Sequence, residues 1–249
     1  MIDTPERRRR GIYLLPNAFT TAALFAGFYA VVQAMGGHYE AAAIAIFVAM
    51  VLDGMDGRVA RLTNTQSAFG EQYDSLSDMT SFGVAPALVM YQWVLHELGR
   101  WGWLAAFVYV ACAALRLARF NINTAIVDKR FFQGLPSPSA AALIAGFVWL
   151  VVDNRLAVPT EALAWVGFGV TLYAGLSMVS NAPFYSGKTF TLGRSVPFWV
   201  ILLMVLAFVF VSSNPPVVLF GLFVVYGLSG WGLMFWRWQR ARRLQRLRR

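Results

Sequence analysis

Asp53, Asp56, Asp74 and Asp78 lie between positions 53 and 78 of a chain otherwise dominated by long apolar runs. On helices, residues three or four apart share a face, so Asp53 and Asp56 project together from one helix, with Gly57 and Ala60 continuing that face. Gly70, Asp74 and Asp78 form a second row on the next helix. Two such helices facing each other bring four carboxylates together beside hydrocarbon, where unpaired charge is costly and an intramembrane acid is read as functional. Oxygen ligands of this kind favour hard divalent cations such as Mg²⁺, Mn²⁺ or Ca²⁺. One or two such ions in a site open to the cytosol would bind a pyrophosphate, polarise phosphorus and stabilise a leaving phosphate. Gly57, Ala60 and Gly70 supply small surfaces where a ligand or a second helix comes close to backbone. Arg61 can reach phosphate oxygens with a charged fork.

Each of these residues has a plainer role when taken singly: packing for a small residue, topology for an arginine at a helix end, a cap or half an ion pair for an aspartate. The set resists that account, because Arg58 and Arg61 alone lie close enough in sequence to neutralise four aspartates. Metal-assisted phosphate chemistry therefore ranks above a structural cluster. A cation transporter using the same acids, and a scaffolding membrane protein, are the rivals from other classes.

The elements that must carry these acids are membrane helices. With 249 residues, 58% of them hydrophobic and 13% charged, the chain is too apolar for a soluble domain. Its one cysteine, Cys112, lies in an apolar run, so neither an intrachain disulfide nor a Cys-based zinc site is available. His38 and His96 fall in short connections and read as solvated loop residues. A span needs about 20 apolar residues. Eight are expected, at roughly 17–35, 39–62, 74–95, 101–122, 137–152, 162–180, 196–212 and 217–236, the first being too long for a signal-peptide core. With both termini cytoplasmic, all 21 Lys and Arg except Arg100 and Arg155 fall on the cytoplasmic side or at its span ends. These include Arg7–Arg10, Arg58, Arg61, Arg116, Arg119, Lys129, Arg130, Lys188, Arg194 and the run from Arg237 onward. That bias fixes the orientation and puts the aspartates at the cytoplasmic ends of the second and third spans. The basic tail 237–249, with Trp236 and Trp238 beside it, reads as an anchor at an anionic leaflet rather than a nucleic-acid site. Short external loops and the lack of an organelle-targeting signal point to a bacterial inner membrane.

Written as a pattern, the stretch is Asp53-x₂-Asp56-Gly57-x₂-Ala60-Arg61-x₈-Gly70-x₃-Asp74-x₃-Asp78. It resembles the complete signature of the CDP-alcohol phosphatidyltransferase family, with every specified position and spacing matched. The resemblance implies an all-α integral membrane fold with a six-helix core, here followed by two further C-terminal helices. It also implies a dinuclear divalent-metal site, homodimers, and transfer of a phosphatidyl group from CDP-diacylglycerol to an alcohol with release of CMP. Carried onto matching positions, Asp53, Asp56 and Asp74 bind metal, and Asp78 contacts the second metal or acts as general base. Asp53, Gly57, Ala60, Arg61 and Gly70 frame the CDP moiety, with Asn17 and Thr20 reaching it from the first span.

Outside the signature, Leu15–Thr20, Ser77–Pro86, Ala118–Asn121 and Gly134–Pro138 resemble the integral-membrane, serine-using branch of that family. L-serine is then the expected acceptor; glycerol 3-phosphate, inositol phosphate or choline are the alternatives within the same chemistry. A zwitterionic alcohol needs a cation for its carboxylate, and the candidates are Arg116, Arg119, Asn121, Lys129 and Ser137. The expected layout is a basic segment 1–16, a catalytic membrane core 17–200, an added transmembrane region 201–236 and a basic tail 237–249.

Overall fold

A computed structural model describes residues 5–63, 65–123, 131–154, 158–186 and 198–247. Lys129, Arg130, Arg155, Lys188, Arg194, Arg248 and Arg249 lie outside the described residues. The described chain is almost entirely helical: α1 (Pro5–Met35), α2 (Tyr39–Thr63), α3 (Ala68–Asp78), a π turn (Met79–Val84), α4 (Ala85–Trp93), α5 (Arg100–Asn123), α6 (Ser137–Asp153), α7 (Thr160–Val179), α8 (Phe198–Ser213) and α9 (Pro215–Leu247). Two three-residue strands, β1 (Phe131–Gln133) and β2 (Pro183–Tyr185), pair antiparallel on one side of this helical mass. Backbone groups satisfied within each helix are what hydrocarbon requires, and four helices among the described residues are long and apolar enough to cross a membrane. They are Leu15–Met35, Arg100–Ile122, Thr160–Val179 and Pro215–Arg240. The protein is a nearly all-α, multi-pass membrane protein.

Each expected span coincides with a helix or a helical run, and the departures have local causes. The third expected span opens at Ala68 rather than 74, because the Ser67 hydroxyl accepts the Gly70 N–H at 3.1 Å and caps a new helix there. That helical run is divided into α3, the π turn and α4. The last helix runs through the basic tail without a stop, since arginine is a good helix former and no glycine or proline intervenes.

α1 and α2 bury alanine stripes, Ala23, Ala26, Ala30 and Ala34 on one and Ala42, Ala43, Ala45 and Ala49 on the other, and small residues of this kind let helices approach closely. α1 also comes close to the π turn: a methyl group at Gly27 would sit 2.6 Å from Ser81 Oγ. The Ser81 hydroxyl in turn donates to Ala23 O, and the Ser77 hydroxyl to Thr20 O, both at 3.1 Å. These two bonds fasten the acid-bearing pass to α1. The centre of the bundle is α6, in which every residue from Ala140 to Val148 is buried. α9 packs along it, with Phe220 against Gly146. α8 is apolar up to its closing Ser212 and Ser213 and no residue of it is buried, the composition of a helix facing lipid.

Candidate active site

α2 and α3 bring the two aspartate rows face to face. One oxygen each from Asp53, Asp56 and Asp74 lies within 4.8 Å of the others; Asp56 is buried and the other two are half-buried. Asp78, one turn beyond Asp74, sits against Asp53. Two hydroxyl and amide contacts from other helices steady the pair. Thr20 on α1 donates to Asp56 Oδ2 at 2.7 Å, and Asn121 on α5 donates to Ser75 Oγ at 3.1 Å, beside Asp74. No described Lys or Arg pairs with any of the four aspartates at salt-bridge distance.

Burying several carboxylates without a partner is strongly unfavourable. One oxygen of Asp74 and one of Asp78 are buried with no hydrogen-bond partner at all. An oxygen-only donor set with orphaned oxygens suits a hard divalent cation, so the residues present fit such a group.

Beside the acids opens a cavity of about 590 Å³, lined by residues of α1, α2, the connection and α3. Its wall includes Asn17, Thr20, Asp56, Gly57, Ala60, Arg61, Gly70 and Asp74. The residues expected around a CDP moiety are therefore brought together, except that Asp53 lies among the acids and not on the cavity wall. Thr20 serves the wall and also aims Asp56. Gly57 faces open space, with nothing within 4 Å of where a Cβ would stand. The cavity volume is in the range of nucleotide and cofactor sites.

The candidates for an alcohol pocket separate into three environments. Arg116 on α5 is 8% exposed, its Nη1 donates to Ser137 Oγ at 2.8 Å, and its Nε has no partner. Its charge is felt at Asp78, so Arg116 and Ser137 form a unit behind the acids. Arg119, one turn on, points away from the acids into the end of α7 and donates to the carbonyls of Gln133, Met178, Val179 and Ser180 at 2.9–3.3 Å. Asn121 faces Ser75, while Lys129 lies outside the described residues.

Three features escape a reading of sequence alone. The π turn begins directly after Asp78, where such turns recur at functional sites. Tyr109, fully buried on α5, donates its hydroxyl to Phe82 O in that turn at 2.9 Å. The β1 and β2 pairing links positions about 50 apart through segments too short for an alternating pattern to register.

Comparison with known proteins agrees with this geometry. The family described as CDP-alcohol phosphatidyltransferase matches residues 13–173. A CDP-diacylglycerol–serine O-phosphatidyltransferase of Helicobacter pylori strain J99 is 38% identical over 224 residues, covering 88% of this chain and 92% of its own. A protein of the same name from Mycobacterium bovis is 41% identical over 159 residues, 60% of this chain and 54% of its own. One from Saccharomyces cerevisiae is 36% identical over 149 residues, 52% of this chain and 53% of its own. With its signature acids converging from two helices beside a nucleotide-sized cavity, the chain belongs to the CDP-alcohol phosphatidyltransferase family.

Proposed function

We propose that the protein transfers the phosphatidyl group of CDP-diacylglycerol to L-serine, giving phosphatidylserine and CMP. The observation that carries this reading is the convergence of Asp53, Asp56 and Asp74 at the edge of a cavity walled by Asn17, Gly57, Ala60, Arg61 and Gly70. The names of the relatives support serine as the acceptor.

Asp53, Asp56, Asp74 and Asp78 would hold two divalent cations, Mg²⁺, Mn²⁺ or Ca²⁺, whose charge would offset that of the pyrophosphate and the departing CMP. Thr20 holds Asp56 in the orientation the cluster needs. Gly57 leaves room for the nucleotide, and Arg61 forks onto phosphate oxygens from the cavity wall. Arg116 meets the serine carboxylate through its unpartnered Nε, with Ser137 fixing the guanidinium. A serine hydroxyl is a poor nucleophile at neutral pH, and Asp78 accepts its proton as the oxygen attacks the lipid-linked phosphorus. A phosphorus–oxygen bond to serine forms, the one to the CMP phosphate breaks, and CMP leaves with the electron pair.

In this reading the chain makes eight passes with both termini and the site at the cytoplasmic face of the inner membrane, and it works as a homodimer. Its catalytic core extends from 17 to about 200, with 201–236 an added transmembrane region. The experiment is incubation of the purified protein with CDP-diacylglycerol, Mn²⁺ or Mg²⁺ and a panel of alcohols, measuring CMP and the lipid product. Phosphatidylserine with stoichiometric CMP is the expected result. CMP release with another alcohol would move the acceptor, and cation flux in liposomes without CMP would replace the reading by a transporter.

A further inference from the structure

Arg119 is the most heavily bonded side chain near the site, and nothing in the proposed chemistry uses it. Its two terminal nitrogens divide the work: Nη2 donates to Gln133 O at 2.9 Å, Met178 O at 3.1 Å and Ser180 O at 3.3 Å, while Nη1 donates to Val179 O at 3.2 Å and reaches Asn181 Oδ1 at 3.5 Å. The last carbonyls of a helix lack intrahelical partners, and a guanidinium there both caps them and complements the dipole. Arg119 therefore closes the C-terminus of α7 and ties it to Gln133 in the same fork.

The segment tied down leads straight to the acceptor side. Gly134 N donates to Ala182 O at 3.0 Å, and Leu135 N to Ser177 O at 2.9 Å. Gly134 has φ +81°, and a Cβ there would lie 2.2 Å from Met178 O and 2.8 Å from Arg119 Nη2. Two residues after Leu135, Ser137 opens α6 and receives the Arg116 bond. Gln133, Gly134 and Leu135 are thus each held from outside, by Arg119 of α5, by Ala182 and by Ser177 of α7.

The other face of the same brace is held by α9, which lies beyond the part of the chain matched by the family. Trp231 Nε1 donates to Ser177 Oγ at 3.1 Å, on the residue whose carbonyl takes Leu135 N. Tyr226 donates to Tyr185 O at 3.1 Å at the end of β2. Gly230 lies flat on the buried Phe184 ring, where a Cβ would stand 2.4 Å from ring carbons.

We propose that Arg119 is a positioning residue which, together with the α9 contacts to Ser177, Phe184 and Tyr185, holds the Gln133–Ser137 segment so that Ser137 keeps Arg116 aimed at the acceptor alcohol. The inference rests on the acceptor reading of Arg116 and Ser137. It assigns the C-terminal helix a part in acceptor recognition and none in nucleotide binding, since the 590 Å³ cavity is walled by α1, α2, α3 and the connection between the last two.

The test measures KM for the acceptor alcohol and for CDP-diacylglycerol, with Tm, on the full-length protein and on Arg119→Lys, Trp231→Phe and Gly230→Ala. A lysine keeps the charge but offers one ammonium in place of a planar fork, so it cannot reach all these carbonyls. Arg119→Lys and Gly230→Ala are each expected to raise acceptor KM about tenfold, in the range seen when groups supporting a site are removed. Trp231→Phe, which deletes one hydrogen bond and keeps the ring's bulk, should raise it less. CDP-diacylglycerol KM stays unchanged in all three, and the double variant Arg119→Lys with Gly230→Ala falls short of additivity because both loosen one brace. Acceptor KM unmoved in the α9 variants, with Arg119→Lys alone affected, would mean that Arg119 touches the alcohol directly and would overturn the proposal. Equal rises in both KM values would overturn it as general damage. A variant that does not fold leaves Trp231→Phe, the mildest change, to decide. A wild type that makes no phosphatidylserine refutes serine as acceptor without touching the brace, which is then read with the alcohol the wild type does use.

Discussion

Removing one hydroxyl from Thr20 separates two roles that its position combines. The Thr20 hydroxyl donates to Asp56 Oδ2 at 2.7 Å in a buried setting, while the side chain also forms part of the cavity wall. Valine keeps the branched shape and deletes only the donor. A hydrogen bond to a charged group contributes about 1.5–3 kcal/mol, and each 1.4 kcal/mol is a factor of ten in an equilibrium constant. If that bond aims Asp56 for cation binding, Thr20→Val should raise the Mn²⁺ concentration for half-maximal CMP release roughly 10- to 100-fold, the range typical of lost partners behind metal ligands. Thr20→Ser, which restores the hydroxyl, should recover most of the loss. The assay is CMP release against Mn²⁺ at saturating CDP-diacylglycerol, with Tm as the control for folding. Mn²⁺ dependence within twofold of wild type, in a variant of unchanged Tm, would refute the argument that this bond orients a metal ligand.

Asp78→Asn should abolish transfer while leaving Tm within a few degrees, and near-normal turnover would sink the proton-accepting role given to Asp78. EDTA should stop CMP release and added Mn²⁺ or Mg²⁺ restore it; activity indifferent to chelation rules out the cation site. Gly57→Ala adds a methyl into open cavity space, so it should raise KM for CDP-diacylglycerol several-fold at unchanged Tm. Gly27→Ala should do the reverse: its methyl would stand 2.6–2.9 Å from Ser81, and overpacking of this kind costs roughly 1–3 kcal/mol, read as a lowered Tm.

Periodicity carried the reading a long way where helices were concerned. The face shared by Gly70, Asp74 and Asp78, and its meeting with Asp53 and Asp56, followed from spacing alone because helical geometry turns sequence separation into direction. The residues on the cavity wall came instead from the resemblance to the family, whose signature names Gly57, Ala60, Arg61 and Gly70. Arg119 resisted, because an arginine near the end of a membrane helix looks alike whether it snorkels, binds a ligand or caps a distant helix; its partners lie 14 to 62 positions away in sequence. The strand pair was equally silent, since Phe131–Gln133 and Pro183–Tyr185 are each three residues long and lie on either side of α6 and α7 in the chain. Thr20 entered as a candidate through the family resemblance, and its bond to Asp56 depends on how α1 leans on α2, which the pattern does not encode.

The π turn after Asp78 lets one helical run answer two demands. In an unbroken α-helix each residue advances about 100°, so the direction of Asp78 would dictate which later residues face the bundle. The wider turn at Met79–Val84 inserts an extra residue and rotates everything downstream relative to the acids. The stretch Ala85–Met90 can thereby bury Ala85, Ala87, Val89 and Met90 as packing requires, while the acid row keeps the heading that charge requires. Tyr109 supplies the donor that the loosened Phe82 carbonyl takes, and Ser81 ties the joint to α1. The run Ala68–Trp93 is thus two helices on separate headings coupled by a fixed joint, so the acids keep their direction while the helix beyond packs on its own terms.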